Sequence, residues 1–76
     1  MKDLLTYIAK NLVDAPDEVN VTEVEREDEL LLELRVAADD MGKVIGKHGR
    51  IAKEIRAIMK AAGNHKNIKV SVDILD

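Results

Sequence analysis

The chain must bend sharply at one place. In Val44-Ile45-Gly46-Lys47-His48-Gly49-Arg50, two glycines three residues apart interrupt what is otherwise helical spacing on both sides. Glycine has no Cβ and takes positive φ freely, so such a turn lets the backbone approach a ligand closely. Lys47, His48 and Arg50 would offer donors there, and the ligand that suits them is a phosphate backbone. The spacing fits equally a tight helix-turn-helix corner. Two nucleotide-binding loops are excluded. A Walker loop has four residues between its glycines and ends in Gly-Lys-Ser/Thr; here only three residues separate Gly42 from Gly46, and Gly46-Lys47 is followed by His48. A dinucleotide fingerprint needs a third glycine in phase and a preceding strand. Position 44 is Val, and the segment before the turn reads as a short helix.

The apolar pattern around this turn switches between two periods. Leu4, Leu5, Ile8 and Leu12 recur at helical spacing over residues 3–13, and Pro16 predicts the stop. Residues 18–27, with Val19, Val21 and Val24, predict a strand, with a bulge where the alternation slips. Glu27-Asp28-Glu29 predicts a hairpin turn. Residues 30–37 predict a second strand, Leu30, Leu32, Leu34 and Val36 on one side and Leu31, Glu33 and Arg35 on the other. Asp39 or Ala38 is the expected cap of a short helix over 40–45. A longer helix is expected from Arg50 to Ala62, with Ile51, Ile55, Ile58 and Ala62 as its buried face and Gly63-Asn64 as its stop. Ile68, Val70, Val72 and Ile74 predict a third strand. The order is α-β-β-α-α-β, an α+β domain. Strands one and two form an antiparallel hairpin, and the helical connection permits a parallel third strand. The expectation is three helices packed on one face of a three-stranded mixed sheet, as one domain over residues 1–76.

Charge argues against a general polyanion binder, because the 76 residues carry a net charge of −3. The charges are segregated, however. Residues 42–66 hold Lys43, Lys47, Arg50, Lys53, Arg56, Lys60 and Lys66 against Glu54 alone, +6, while residues 1–41 hold four basic and twelve acidic residues, −8. A basic face on an acidic body is the footprint of a specific phosphate-contact surface. Arg56 and Lys60 read in part as an ordinary solvated helix face. Tyr7 is the only aromatic residue, so binding by stacking several bases on rings is excluded. Bases would have to be held by aliphatic contact and hydrogen bonds. There is no cysteine, which fits a reducing cytoplasm. No apolar run reaches the length of a membrane span, and the N-terminus has no leader pattern.

The stretch from Leu34-Arg35-Val36-Ala37 through Asp40-Met41-Gly42-Lys43-Val44-Ile45-Gly46-Lys47-His48-Gly49-Arg50-Ile51-Ala52, set in this element order, resembles the type II KH domain of bacteria, and specifically the small stand-alone bacterial KH proteins of the KhpA kind. The resemblance covers essentially all 76 residues. KH domains clamp about four backbone nucleotides with their Gly-x-x-Gly loop, a property that comes with the resemblance. It implies single-stranded RNA as partner, with single-stranded DNA as an alternative strand. It further implies an RNA-chaperone or post-transcriptional role linked to cell shape and division, self-association as a homodimer, and pairing with a larger multidomain KH-containing RNA-binding protein. Ala38 stands where relatives often carry Pro.

The expected RNA-binding residues are Lys43, Val44, Ile45, Gly46, Lys47, His48, Gly49, Arg50 and Lys53. Backbone amides of 46–50 would approach phosphates, helped by the positive end of the following helix. Lys43 and Lys53 would reach flanking phosphates. Val44 and Ile45, with Leu34 and Val36 behind them, would form an aliphatic floor, although all four read first as core. His48 reads first as a solvated loop residue that gains charge at low pH. Leu31, Met41 and Met59 are candidates for an apolar association surface. The competing class is a protein-interaction or dimerisation module whose basic face meets a protein partner. An enzyme is not expected: Ser71 is the only serine, His48 and His65 lie apart on turns, and no metal-ligand spacing occurs. No cofactor, small-molecule substrate or membrane contact is expected.

Overall fold

The structure is a computed structural model, and it describes residues 1–75. Helix α1 spans Lys2–Leu12, strand β1 Asn20–Glu25, strand β2 Leu30–Arg35, helix α2 Met41–Ile45, helix α3 Arg50–His65 and strand β3 Val70–Leu75. Single 3₁₀ turns occupy Pro16–Glu18, Ala38–Asp40 and Lys47–Gly49. The sheet order is β1-β2-β3, with β1 antiparallel and β3 parallel to β2. This is the α-β-β-α-α-β mixed-sheet architecture expected from the sequence.

Side-chain alternation explains the layers. Val21, Leu34 and Ile74 are register partners across the sheet, as are Leu32 and Val72, and Leu30 and Val70. Together with Leu5, Ala9, Val44, Ile55 and Met59 they form one core. Truncating a residue such as fully buried Leu32 or Met59 would cost about 2–5 kcal/mol. The opposite row, Val24, Leu31 and Ser71, lies on the other side of the pleat. Leu31 is nevertheless buried, so it is not free for association.

Several local expectations shift. The β1–β2 register runs without interruption from Asn20↔Arg35 to Glu25↔Leu30, so there is no bulge. Val21 and Val24 point to opposite faces instead. Helix α1 ends at Leu12, before the proline, and Pro16 opens the following 3₁₀ turn, where its fixed φ is favourable. On α1, Leu4 is exposed and Ala9 takes a core place. The buried face of α3 is Ala52, Ile55, Met59 and Gly63, rotated from the expected stripe. Ile58 is 47% exposed while Met59 is fully buried. The expected association candidates Leu31 and Met59 are thus interior, and Met41 is half-buried against the core.

Helix α3 does not stop at Gly63-Asn64. Gly63 lies inside the helix, and a Cβ on it would stand 2.5 Å from the Ile68 carbonyl oxygen and 2.7 Å from Val70 Cγ2. The glycine serves close packing of the helix end on β3. The stop is Asn67, at φ 57. Ile68 N–H donates to Gly63 O at 2.8 Å and Asn67 N–H to Asn64 O at 3.2 Å. That pair of bonds is a Schellman closure with Asn in the left-handed position, where a short polar side chain is tolerated.

Candidate nucleic-acid interface

The glycine turn is built by backbone geometry that its sequence permits. Gly46 has φ 75 and ψ 173, a region essentially reserved for glycine. A Cβ there would lie 2.6 Å from Ile51 Cγ1. Gly49, at φ 74 and ψ 14, is left-handed helical, with open space where a Cβ would go. His48 between them is also left-handed, at φ 58 and ψ 24. The Gly46 N–H donates to Gly42 O at 2.9 Å and the Gly49 N–H to Gly46 O at 3.1 Å, and the Arg50 N–H returns to the Lys47 carbonyl. The N–H groups that lead a helical turn have no acceptor inside it, and here those belong to Lys47 and His48.

Around this turn the structure brings some expected residues together and removes others. Lys47, His48, Arg50 and Ile51 line one open hollow. Lys47, Arg50 and Lys53 are exposed and have no ion-pair partner among the described residues. Arg50 and Lys53 are one turn apart at the start of α3, where the macrodipole adds positive potential. Ile45 is 37% exposed. Val44, Leu34 and Val36 are buried in the core.

Lys43 is placed differently from the other cations. Its ammonium lies 3.2 Å from Asp14 Oδ2 and 3.8 Å from Asp40 Oδ1. The hydrogen bond and charge of Asp14 raise its pKa above the usual lysine value of 10.5. Asp40 is the buried charged residue of the described chain, 2% exposed. The expected cap of α2 is Asp39 or Ala38. Asp40 holds the cap position instead, and its side chain does not cap α2. It reaches across the fold, where Oδ1 accepts the Asp14 N–H at 3.2 Å and Oδ2 the Ala15 N–H at 3.0 Å. A bond between residues 25 and 26 positions apart leaves no periodic signal in a sequence. Arg56, read as solvated, donates from Nε to the Val72 carbonyl at 3.1 Å, covering part of the outer edge of β3.

An α-β-β-α-α-β mixed sheet with a Gly-x-x-Gly turn between its last two helices is the type II KH fold. The family model described as KhpA/KhpB, KH domain, matches residues 2–74, and the chain belongs to that family. It is 60% identical over 75 residues to the RNA-binding protein KhpA of Clostridium acetobutylicum, covering 99% of this chain and 100% of the relative. It is 56% identical to that of Clostridium perfringens over the same shares. With the RNA-binding protein KhpA of Chlamydia caviae it shares 47% over 76 residues, 100% of this chain and 97% of the relative. No solved structure matches the chain. No helix among the described residues is long and apolar enough to cross a membrane.

Proposed function

We propose that this chain is a single-stranded RNA-binding protein that clamps a short run of backbone, about four nucleotides as in KH domains generally, against the Gly46-Lys47-His48-Gly49 turn. The observation that carries the reading is the turn itself. Three of its four residues hold positive φ, its leading amides have no acceptor within the turn, and Lys47 and Arg50, unpaired among the described residues, line the same hollow. Such a site offers backbone donors and mobile charge to phosphates, and the hollow's Ile51 with neighbouring Ile45 offers aliphatic contact to a base. The names of the relatives point the same way. Lys53 extends the positive track along α3. An RNA-chaperone or regulatory role linked to cell shape and division, and self-association or pairing with a larger KH protein, extend this reading on the family resemblance.

The test is a fluorescence titration of short single-stranded RNA pools, with matching DNA, at two salt concentrations. With about three phosphate contacts the slope of log K against log salt should be near −2. Lys47→Asp/His48→Asp should abolish binding while circular dichroism and self-association stay as in the parent. Retained RNA binding by that variant would refute the clamp. A folded parent that binds no nucleic acid would favour a basic face serving a protein partner.

A further inference from the structure

We propose that Asp40 and Lys43, with Asp14, are positioning residues that fix the attitude of the glycine turn, and that Lys43 is not a phosphate contact. This deepens the RNA-binding reading above and rests on it only for its effect on affinity. Helix α2 has five residues, far too few to hold its own direction by helical hydrogen bonding. It must be pinned from outside, because the turn hangs from its end through the Gly46 N–H to Gly42 O bond. Two anchors do this. Val44 is sunk in the core, and at the start of α2 the Asp40 carboxylate accepts the amides of Asp14 and Ala15.

Those two amides belong to the segment where α1 has just ended, its last bond being Val13 N–H to Ala9 O. Asp40 thus ties the end of α1 to the start of α2. A buried carboxylate needs a countercharge. Lys43, one turn along α2, supplies it at 3.8 Å while also meeting Asp14 at 3.2 Å. One ammonium facing two carboxylates leaves this corner net negative. An incoming phosphate would be repelled there, unlike at Lys47, Arg50 and Lys53. The cation three residues before the turn is therefore already committed, and its work is orientation.

Two measurements test this. In the protein without nucleic acid, Lys43→Met should speed hydrogen exchange of the Gly46 and Gly49 amides by about threefold to tenfold, the range expected for losing a partly buried pair. Lys43→Arg, which keeps the charge and the reach, should restore them. Faster exchange confined to Asp14 and Ala15, with Gly46 and Gly49 unchanged, would reduce the contact to a local tether and overturn the proposal. In titrations, Lys43→Met should weaken RNA binding by about threefold to tenfold with the salt slope unchanged. A slope shallower by about 0.7 would make Lys43 a phosphate contact and also overturn it. Asp14→Asn, conservative and exposed, gives a second route if Lys43→Met fails to fold, and should move the same two amides. If the parent binds no RNA, the RNA-binding reading fails by itself, and the exchange data still decide the positioning role.

Discussion

The two ends of the sheet are built from similar parts and do opposite things with them. β2 starts at the hairpin and runs toward α2, while α3, sixteen residues and about 24 Å long, runs back to deliver β3 beside Leu30. The hairpin end therefore holds residues 26–29 and 66–69, and the other end holds the glycine turn. Both use left-handed residues, Asn67 at one end and Gly46, His48 and Gly49 at the other. At the hairpin end several backbone donors and the Ser71 hydroxyl are satisfied locally. Arg26 N–H meets Glu29 O, Leu30 N–H meets Lys69 O, Ile68 N–H meets Gly63 O, and the Ser71 hydroxyl donates to Glu29 Oε2. Arg26 and Glu29 also pair at 3.8 Å. At the glycine end the leading amides and the side chains of Lys47 and Arg50 have no such partners among the described residues. The same turn chemistry closes a fold when its donors are consumed locally and leaves donors available when they are not.

That contrast can be broken by mutation, most forcefully at Gly63. Gly63→Ala drives a Cβ into the Ile68 carbonyl, where backbone cannot yield, and should cost about 3 kcal/mol in a urea melt. Gly46→Ala comes next, at about 2–3 kcal/mol, because glycine-only dihedrals and contact with Ile51 add together. Gly49→Ala meets open space and should lose only about 1 kcal/mol for its left-handed backbone. Equal costs at Gly46 and Gly49 would show that Ile51 simply moves aside.

His48→Gly sharpens the comparison further. It removes a left-handed non-glycine residue, so stability should hold or rise by up to about 1 kcal/mol, while RNA binding should fall. Asn67→Gly at the opposite end should give a smaller stability gain and leave binding untouched. A drop in binding from Asn67→Gly would dissolve the functional distinction between the ends.

The smallest expected effect is in the alkaline limb of a stability–pH curve. Lys43 has a folded pKa raised above 10.5, first by its hydrogen bond to Asp14 and then by the charge of Asp14. The stabilisation is therefore fully present below the unfolded value and lost as pH rises through the folded one. Lys43→Met should flatten that limb above about pH 10.5 and leave the curve near neutral pH parallel to the parent. The Lys43–Asp14 contact that causes the shift is the exposed one of the two, so the change will be slight and smaller still in high salt.

How much of this was legible beforehand varies with the range of the interaction. Element order, strand pairing and the glycine turn came from patterns within a few residues. The face of α3 was misread because isoleucine outranks methionine, alanine and glycine as an apolar signal, yet the surface available against β3 and α1 admits Met59 and Gly63 and leaves Ile58 outside. The bulge was misread because two valines three apart imply a slip only if both must be buried. Leu31 looked free because alternation put it on the uncovered face, but it is shielded there.

Local physics therefore determined the α-β-β-α-α-β order, the segregated charge and the place where the backbone must open. Residue type and spacing suffice for these, since helix, strand and turn preferences act over one or two turns of chain. Only the tertiary structure decided which cations are free. Lys43, Lys47, Arg50 and Lys53 are alike in sequence, and what separates Lys43 from the rest is the neighbourhood of Asp14 and buried Asp40. Coulombic pairing depends on distance in space, and the packing of α1 against α2 sets that distance.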